Sequence, residues 1–293
     1  MRDPRKFRVK FWLSLISEPV EHLLAYAQDA EELGYDGVIL ADHIVIKDGP
    51  HTGHAAGDPV PADYNLPDPL LSFAAMAAVT TRLKFLTGVY VAPLRDPFAL
   101  AKQVGTLMAI SQGRFVFGAG VGWLREEFET IGQDFSNRGK RMDEILGIAR
   151  DFWEDGYAER DGSYYDFPRS GMFPVPSQRV PIWIGGHSIA AARRAANHDG
   201  YMPMHGLNAE TRAEFKYIDE LRREMGLTGP FERMSGASGI DGPAQIQKME
   251  EVDGITSLNV FAWPYGDRSV SFEDKRVMAA QFSKTVIRRI SSA

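Results

Sequence analysis

Apolar and β-branched residues gather in eight short runs, over residues 8–15, 36–41, 83–92, 114–120, 181–184, 200–204, 231–239 and 255–263, and each run reads as a strand. Between them the apolar positions change to helical spacing, over 19–33, 138–154, 188–198, 209–225 and 272–290. The stretch 83–123 holds a complete unit. Its first strand gives way to Asp96, placed as an N-cap, with Pro97 at the first helical position. Phe98, Ala101, Val104, Leu107 and Met108 then repeat at helical spacing until Gln112 and Gly113 stop the helix. The following strand runs into Gly120-Val121-Gly122-Trp123, a turn whose missing side chains let a flat ligand or an anion come close to the backbone.

Strand and helix alternate from end to end, and parallel strands need crossovers. Eight such units close into a (β/α)8 barrel, an α/β architecture whose ligand face lies at the carboxyl ends of the strands. A doubly wound open sheet is the alternative. Two stretches interrupt the rhythm. Residues 44–69, dense in Gly, Pro, Asp and His, follow the second strand and read as a lid, while 155–179 form an insertion before the fifth strand with a hairpin around Asp161-Gly162.

With 293 residues and 44% hydrophobic content the chain can bury one large core, so a single domain over 1–293 is expected. A net charge of −6 offers no footprint for nucleic acid or an anionic membrane. The apolar run 11–16 behind the basic start of the chain is too short for a signal sequence, and no run is long enough to span a bilayer. Cysteine is absent, which excludes disulfides, thiolate metal ligands and cysteine nucleophiles and fits a cytoplasmic protein. The expected partner is a small-molecule substrate, and exposed apolar helix positions are compatible with a homodimer.

Polar residues begin where the second strand ends, at Asp42 and His43. If one of them faces the barrel mouth, His43 can give or take a proton near neutral pH; the plainer reading is a turn cap and a surface hydrogen bond. Gly185, Gly186, His187 and Ser188 lead a strand into a helix, and their free N–H groups suit an anion as well as an ordinary turn. His51 and His54 have a metal-like spacing in a Gly/Pro-rich loop, but no HxH, HExxH or carboxylate cluster accompanies them, so no metal is expected. Arg138, Arg141, Asp143 and Glu144 read as surface i,i+3 pairs, and no GxSxG nucleophile elbow occurs.

Taken in order, ILADHI (39–44), TGVYVAPLRDP (87–97), the block ending at Arg114, GAGVGWLREEFE (118–129), RGKRMDE (138–144) and PIWIGGHS (181–188) resemble the luciferase-like monooxygenase superfamily, and within it the coenzyme F420-dependent oxidoreductases. The resemblance covers nearly the whole chain. It implies a barrel that binds a deazaflavin (coenzyme F420), or alternatively FMN, at the carboxyl ends of the strands. The turn Gly120, Val121 and Gly122 would border the ring, Gly185, Gly186, His187 and Ser188 would hold the phosphate, and Asp42 would belong to the cofactor-binding set. It also implies a non-proline cis peptide between Gly88 and Val89 that bulges against the ring, with His43 beside the reactive centre. Sugar-phosphate dehydrogenases of the F420 branch carry a catalytic Glu where this chain has Trp123, and Glu126 and Glu127 are the nearest other carboxylates. The resemblance therefore suggests an apolar organic substrate in a pocket walled by Trp12, Tyr64 and Trp123. The activity it implies is hydride transfer with the deazaflavin. A two-component FMN monooxygenase and a flavin-binding protein without turnover remain open.

Overall fold

Strand-forming runs and capped helices alternate in the computed structural model as the sequence pattern requires; it describes residues 9–49, 60–238, 240 and 242–291. The strands are β1 (Lys10–Ser14), β2 (Gly37–Leu40), β3 (Lys84–Thr87), β4 (Tyr90–Val91), β5 (Phe115–Gly120), β6 (Tyr157–Asp161), β7 (Asp166–Gly171), β8 (Ile182–Gly186), β9 (Gly200–Pro203), β10 (Glu232–Gly236) and β11 (Ser257–Val260). Parallel pairing runs β3-β2-β1-β11-β10-β9-β8-β5, and β3 also pairs with β5, so the sheet closes on itself as a (β/α)8 barrel. The second insertion contains the expected hairpin, with β6 and β7 antiparallel.

The expectation of one unbroken strand over 83–92 is corrected. The chain leaves the ladder at Gly88 and Val89, whose peptide bond is cis, and β4 resumes paired to β5 alone. Helices α1 (Leu23–Leu33), α2 (Pro69–Ala78), α3 (Pro97–Ile110), α4 (Arg125–Thr130), α5 (Arg138–Asp155), α6 (Ile189–Ala195), α7 (Ala209–Glu224), α8 (Pro243–Asp253), α9 (Phe272–Phe282) and α10 (Arg288–Ser291) make the crossovers and rim. Sequence periodicity missed α2, α4 and α8, while the predicted cap of α3 is present: the Asp96 carboxylate accepts from the Phe98 and Ala99 N–H groups at 3.0 and 2.8 Å.

Side chains two apart on a strand share a face, so the register sorts barrel interior from exterior. Outward residues such as Phe11, Leu13, Val38, Phe85, Phe117 and Leu258 pack with the helices in the main core. Inward, a second cluster fills the barrel with Trp12, Ile39, Leu86, Val116, Trp183, Met202 and Met234. Trp12 and Trp183 meet edge to face at 5.6 Å, and Trp12 Nε1 donates to Ser257 Oγ at 3.3 Å. Two residues further toward the carboxyl ends, the same faces carry Ser14, Gly88, Gly185 and Gly236, with Gly120 and Asn259 beside them. A large-residue plug thus gives way to a rim of small residues at the carboxyl end, the face on which this architecture carries its ligand sites.

Candidate active site at the carboxyl end of the barrel

Adjacent residues of an extended chain point opposite ways, and past the end of β2 this separates Asp42 from His43. The Asp42 carboxylate turns inward to the protein and is 3% exposed. Its Oδ2 accepts from the Val91 N–H at 2.9 Å and its Oδ1 from Arg95 Nη2 at 2.6 Å. Burial pushes the Asp42 carboxyl above the ordinary carboxylate range, against the pull of Arg95 and the Val91 N–H. For Arg95, burial works to lower the pKa, but Asp42 and Tyr90 outweigh it and leave it raised. The guanidinium also lies over the Tyr90 ring, 4.5 Å from its centre. Both Asp42 oxygens are therefore occupied by the chain just after the cis peptide.

His43 turns toward the mouth. Its Nδ1 lies 2.8 Å from Glu127 Oε2, and its ring meets Trp123 edge to face at 5.6 Å. Glu127, 1% exposed, comes from α4 and also accepts from the Ile44 and Val45 N–H groups through Oε1, at 2.6 and 3.3 Å. A carboxylate thus does reach this histidine, although Trp123 occupies the place after the glycine turn. The two residues lie 84 positions apart, and only the fold brings them together.

Val89 stands over the rim glycines. A Cβ added at Gly120 or at Gly185 would overlap its methyl groups, so neither position can carry a side chain while Val89 keeps its place. Gly122 has φ +80°, and a Cβ there would come within 2.6 Å of Val91. Val121 is partly buried against the main core. Two buried polar atoms, Ser14 Oγ and Asn259 Oδ1, have no hydrogen-bond partner among the described residues. Both lie on inward strand faces near the rim.

The turn after β8 keeps its expected form. Ser188 Oγ accepts from the Ala191 N–H at 3.2 Å and so caps α6, while the exposed His187 ring meets His205 at 5.8 Å. Gly186 accepts from the Met204 N–H and from the Tyr201 hydroxyl, both at 3.1 Å, through its carbonyl oxygen.

Two expectations are corrected, for Trp12 and for the charged start of α5. Trp12 is wholly buried in the barrel plug, one layer below the rim, and walls no pocket. Tyr64 packs on the loop after β11: its ring meets Tyr265 at 6.1 Å and Arg268 lies over it at 5.7 Å, with Arg268 also paired to Asp63. The charged start of α5 makes contacts across elements instead of surface pairs. Arg138 donates to the Gly122 carbonyl, the buried Arg141 to the Pro93 carbonyl, Asp143 pairs with Arg194, and Glu144 accepts from the N–H groups of residues 163–165. His51 and His54 lie outside the described residues, as does the middle of the expected lid. Among the described residues no group of three or more His, Cys, Asp or Glu can hold a metal ion, and no helix is long and apolar enough to cross a membrane.

Comparison with known proteins places this geometry in a family. A sequence profile described as luciferase-like monooxygenase matches residues 6–252. An uncharacterized protein of Mycobacterium tuberculosis is 37% identical over 224 residues, covering 74% of this chain and 76% of the relative. The F420-dependent glucose-6-phosphate dehydrogenase of Microbacterium testaceum is 31% identical over 199 residues, 66% of this chain and 55% of that enzyme. The crystal structure of monooxygenase RslO1 from Streptomyces bottropensis matches with a TM-score of 0.78 at 19% identity, over 96% of this chain and 99% of that one, a likeness of fold.

Proposed function

The chain belongs to the luciferase-like monooxygenase family, and we propose that it is a deazaflavin (coenzyme F420)-dependent oxidoreductase acting on an apolar organic substrate, with His43 as its proton-transfer group. The observation that carries this reading is the rim itself. Small residues line the barrel mouth above a filled plug, and His43, just past β2, is paired to Glu127. A flat ring system fits such a site.

When bound, the deazaflavin supplies the hydride chemistry. The chain supplies placement. Gly120 and Gly185 leave the space that Val89 fills, and Val89 in turn offers an apolar surface for one face of the ring. The Asp42–Arg95 pair holds the Val91 N–H and so the backbone that presents Val89. His43, little exposed and backed by Glu127, holds or delivers the proton that accompanies hydride at the substrate. Trp123, edge-on to His43, presents an indole to the substrate, which favours apolar surface at about 25 cal/mol per Å² buried.

The F420 assignment is supported by the relative from Microbacterium testaceum, whose name carries that coenzyme. Titration of the protein with the deazaflavin and with FMN, followed by fluorescence quenching, tests it. The expected result is a Kd of about 1 μM or lower for the deazaflavin and at least about tenfold weaker binding of FMN. Equal or inverted affinities move the assignment to an FMN-dependent monooxygenase. Replacing Trp123 by Ala is expected to lower affinity for apolar ligands while the coenzyme still binds.

A further inference from the structure

We propose that Glu127 is a positioning residue that fixes the tautomer of His43, with the ring proton on Nδ1 and Nε2 left as the atom that exchanges a proton in the barrel mouth. The inference rests on reading His43 as the proton-transfer group, and it names the nitrogen and the cause.

The argument starts from donors that cannot change role. The backbone N–H groups of Ile44 and Val45 both point at Glu127 Oε1, at 2.6 and 3.3 Å. A backbone N–H only donates, so Oε1 must accept, which orients the carboxylate and leaves Oε2 facing His43 Nδ1 at 2.8 Å. A carboxylate oxygen at that separation also only accepts. The hydrogen between them therefore belongs to Nδ1. The opposite tautomer would set two lone pairs against each other at a carboxylate that is almost wholly buried, where such a clash is least screened.

The adjacent Asp42 does not compete for the ring. Both of its oxygens are taken, by the Val91 N–H and by Arg95. The rings of Trp123 and His43 meet edge to face at 5.6 Å. The order of constraint runs from two peptide groups at the root of the long insertion, through one carboxylate, to the protonation pattern of one ring.

The test reads the ring itself and needs no substrate. Two-bond 15N–1H correlation spectra of the full chain, labelled with 15N-histidine and assigned with His43→Gln, report which nitrogen carries the proton when the ring holds only one. The native protein is expected to show Nδ1–H. Glu127→Gln is expected to move the proton to Nε2, because the glutamine carbonyl keeps the Ile44 and Val45 N–H groups and turns its own N–H toward Nδ1. Glu127→Asp, which keeps the acceptor, is expected to retain Nδ1–H. A native ring protonated on Nε2 overturns the proposal without any variant, and so does a Glu127→Gln spectrum with Nδ1–H unchanged. The coenzyme titration is independent of this ring state. Failure to bind the deazaflavin with Nδ1–H observed would remove the proposed cofactor alone, and binding with Nε2–H observed would remove the positioning role alone.

Discussion

Glu18 and Glu127 are buried to the same degree, 2% and 1% exposed, and both lie past the carboxyl ends of barrel strands, yet they are built for different ends. Glu18 is closed in by permanent donors. It accepts from Lys275 Nζ at 2.8 and 3.0 Å, from Trp263 Nε1 at 2.9 Å and from the Tyr26 hydroxyl at 3.1 Å. The cluster joins the loop after β1 to α1, to the loop after β11 and to α9, so it fastens the first and last units of the barrel. Burial, reinforced by Glu18, pushes the Tyr26 phenol far above its ordinary value, which keeps it a donor at any ordinary pH. Glu127 instead has a histidine among its partners, the one we propose as the proton-transfer group. Burial and a full set of hydrogen bonds do not distinguish a structural carboxylate from a functional one. What distinguishes them is whether one partner can exchange a proton with a ligand.

The sharpest break of this comparison is His43→Ala. Turnover with a cognate substrate is expected to fall by about 10²- to 10⁴-fold. Coenzyme affinity should stay within a few-fold and the unfolding midpoint should be unmoved. Steady-state kinetics beside urea unfolding reads both, and native turnover would return His43 to a surface role. Lys275→Met is the converse. It leaves Glu18 buried without its cation and is expected to cost about 3–5 kcal/mol of stability in urea unfolding, with turnover per folded molecule retained. Loss of turnover in a folded Lys275→Met protein would erase the division between the two carboxylates.

Gly185→Ala probes the rim between them. Its new methyl overlaps Val89, so an overpacking cost of about 1–3 kcal/mol is expected together with weaker coenzyme binding, and unchanged binding in calorimetry would show that Val89 does not support the ring. Ser188→Ala is expected to have the smallest effect, about 1 kcal/mol from the lost cap of α6, seen as faster amide exchange in that helix.

Much of the fold was legible because it rests on period and punctuation. The eight barrel strands, the Asp96 and Ser188 caps and the hairpin after α5 follow from local pattern, and the cis bond at Gly88–Val89 followed from family resemblance. What failed to show was whatever depends on depth or distance. Trp12 sits two residues before Ser14 on the same inward face, which places it a layer too low to touch a ligand, and aromatic character alone does not report that. Helix α2 is apolar almost throughout, so it offered no stripe to detect, and α4 is too short to establish a period. By pattern Arg141 is one more charge on an amphipathic helix, yet its guanidinium is buried and donates to the Pro93 carbonyl. Glu127 was one of two adjacent carboxylates near the glycine turn; only its pairing with residues more than eighty positions away separates it from Glu126.

The plug of Trp12, Trp183, Met202 and Met234 has a consequence for how this scaffold can change. The side chains that keep the barrel closed lie below the rim or outside it, while the rim itself is made of glycines, one serine and one asparagine, with loops around it. Exchanging a loop residue such as Trp123 removes little of the area that holds the protein folded. New acceptors can therefore be sought by varying the loops around the mouth in a library, with Val89, Gly120 and Gly185 held constant and the plug untouched. A library built in the plug itself would lose most of its members to misfolding before any could be screened.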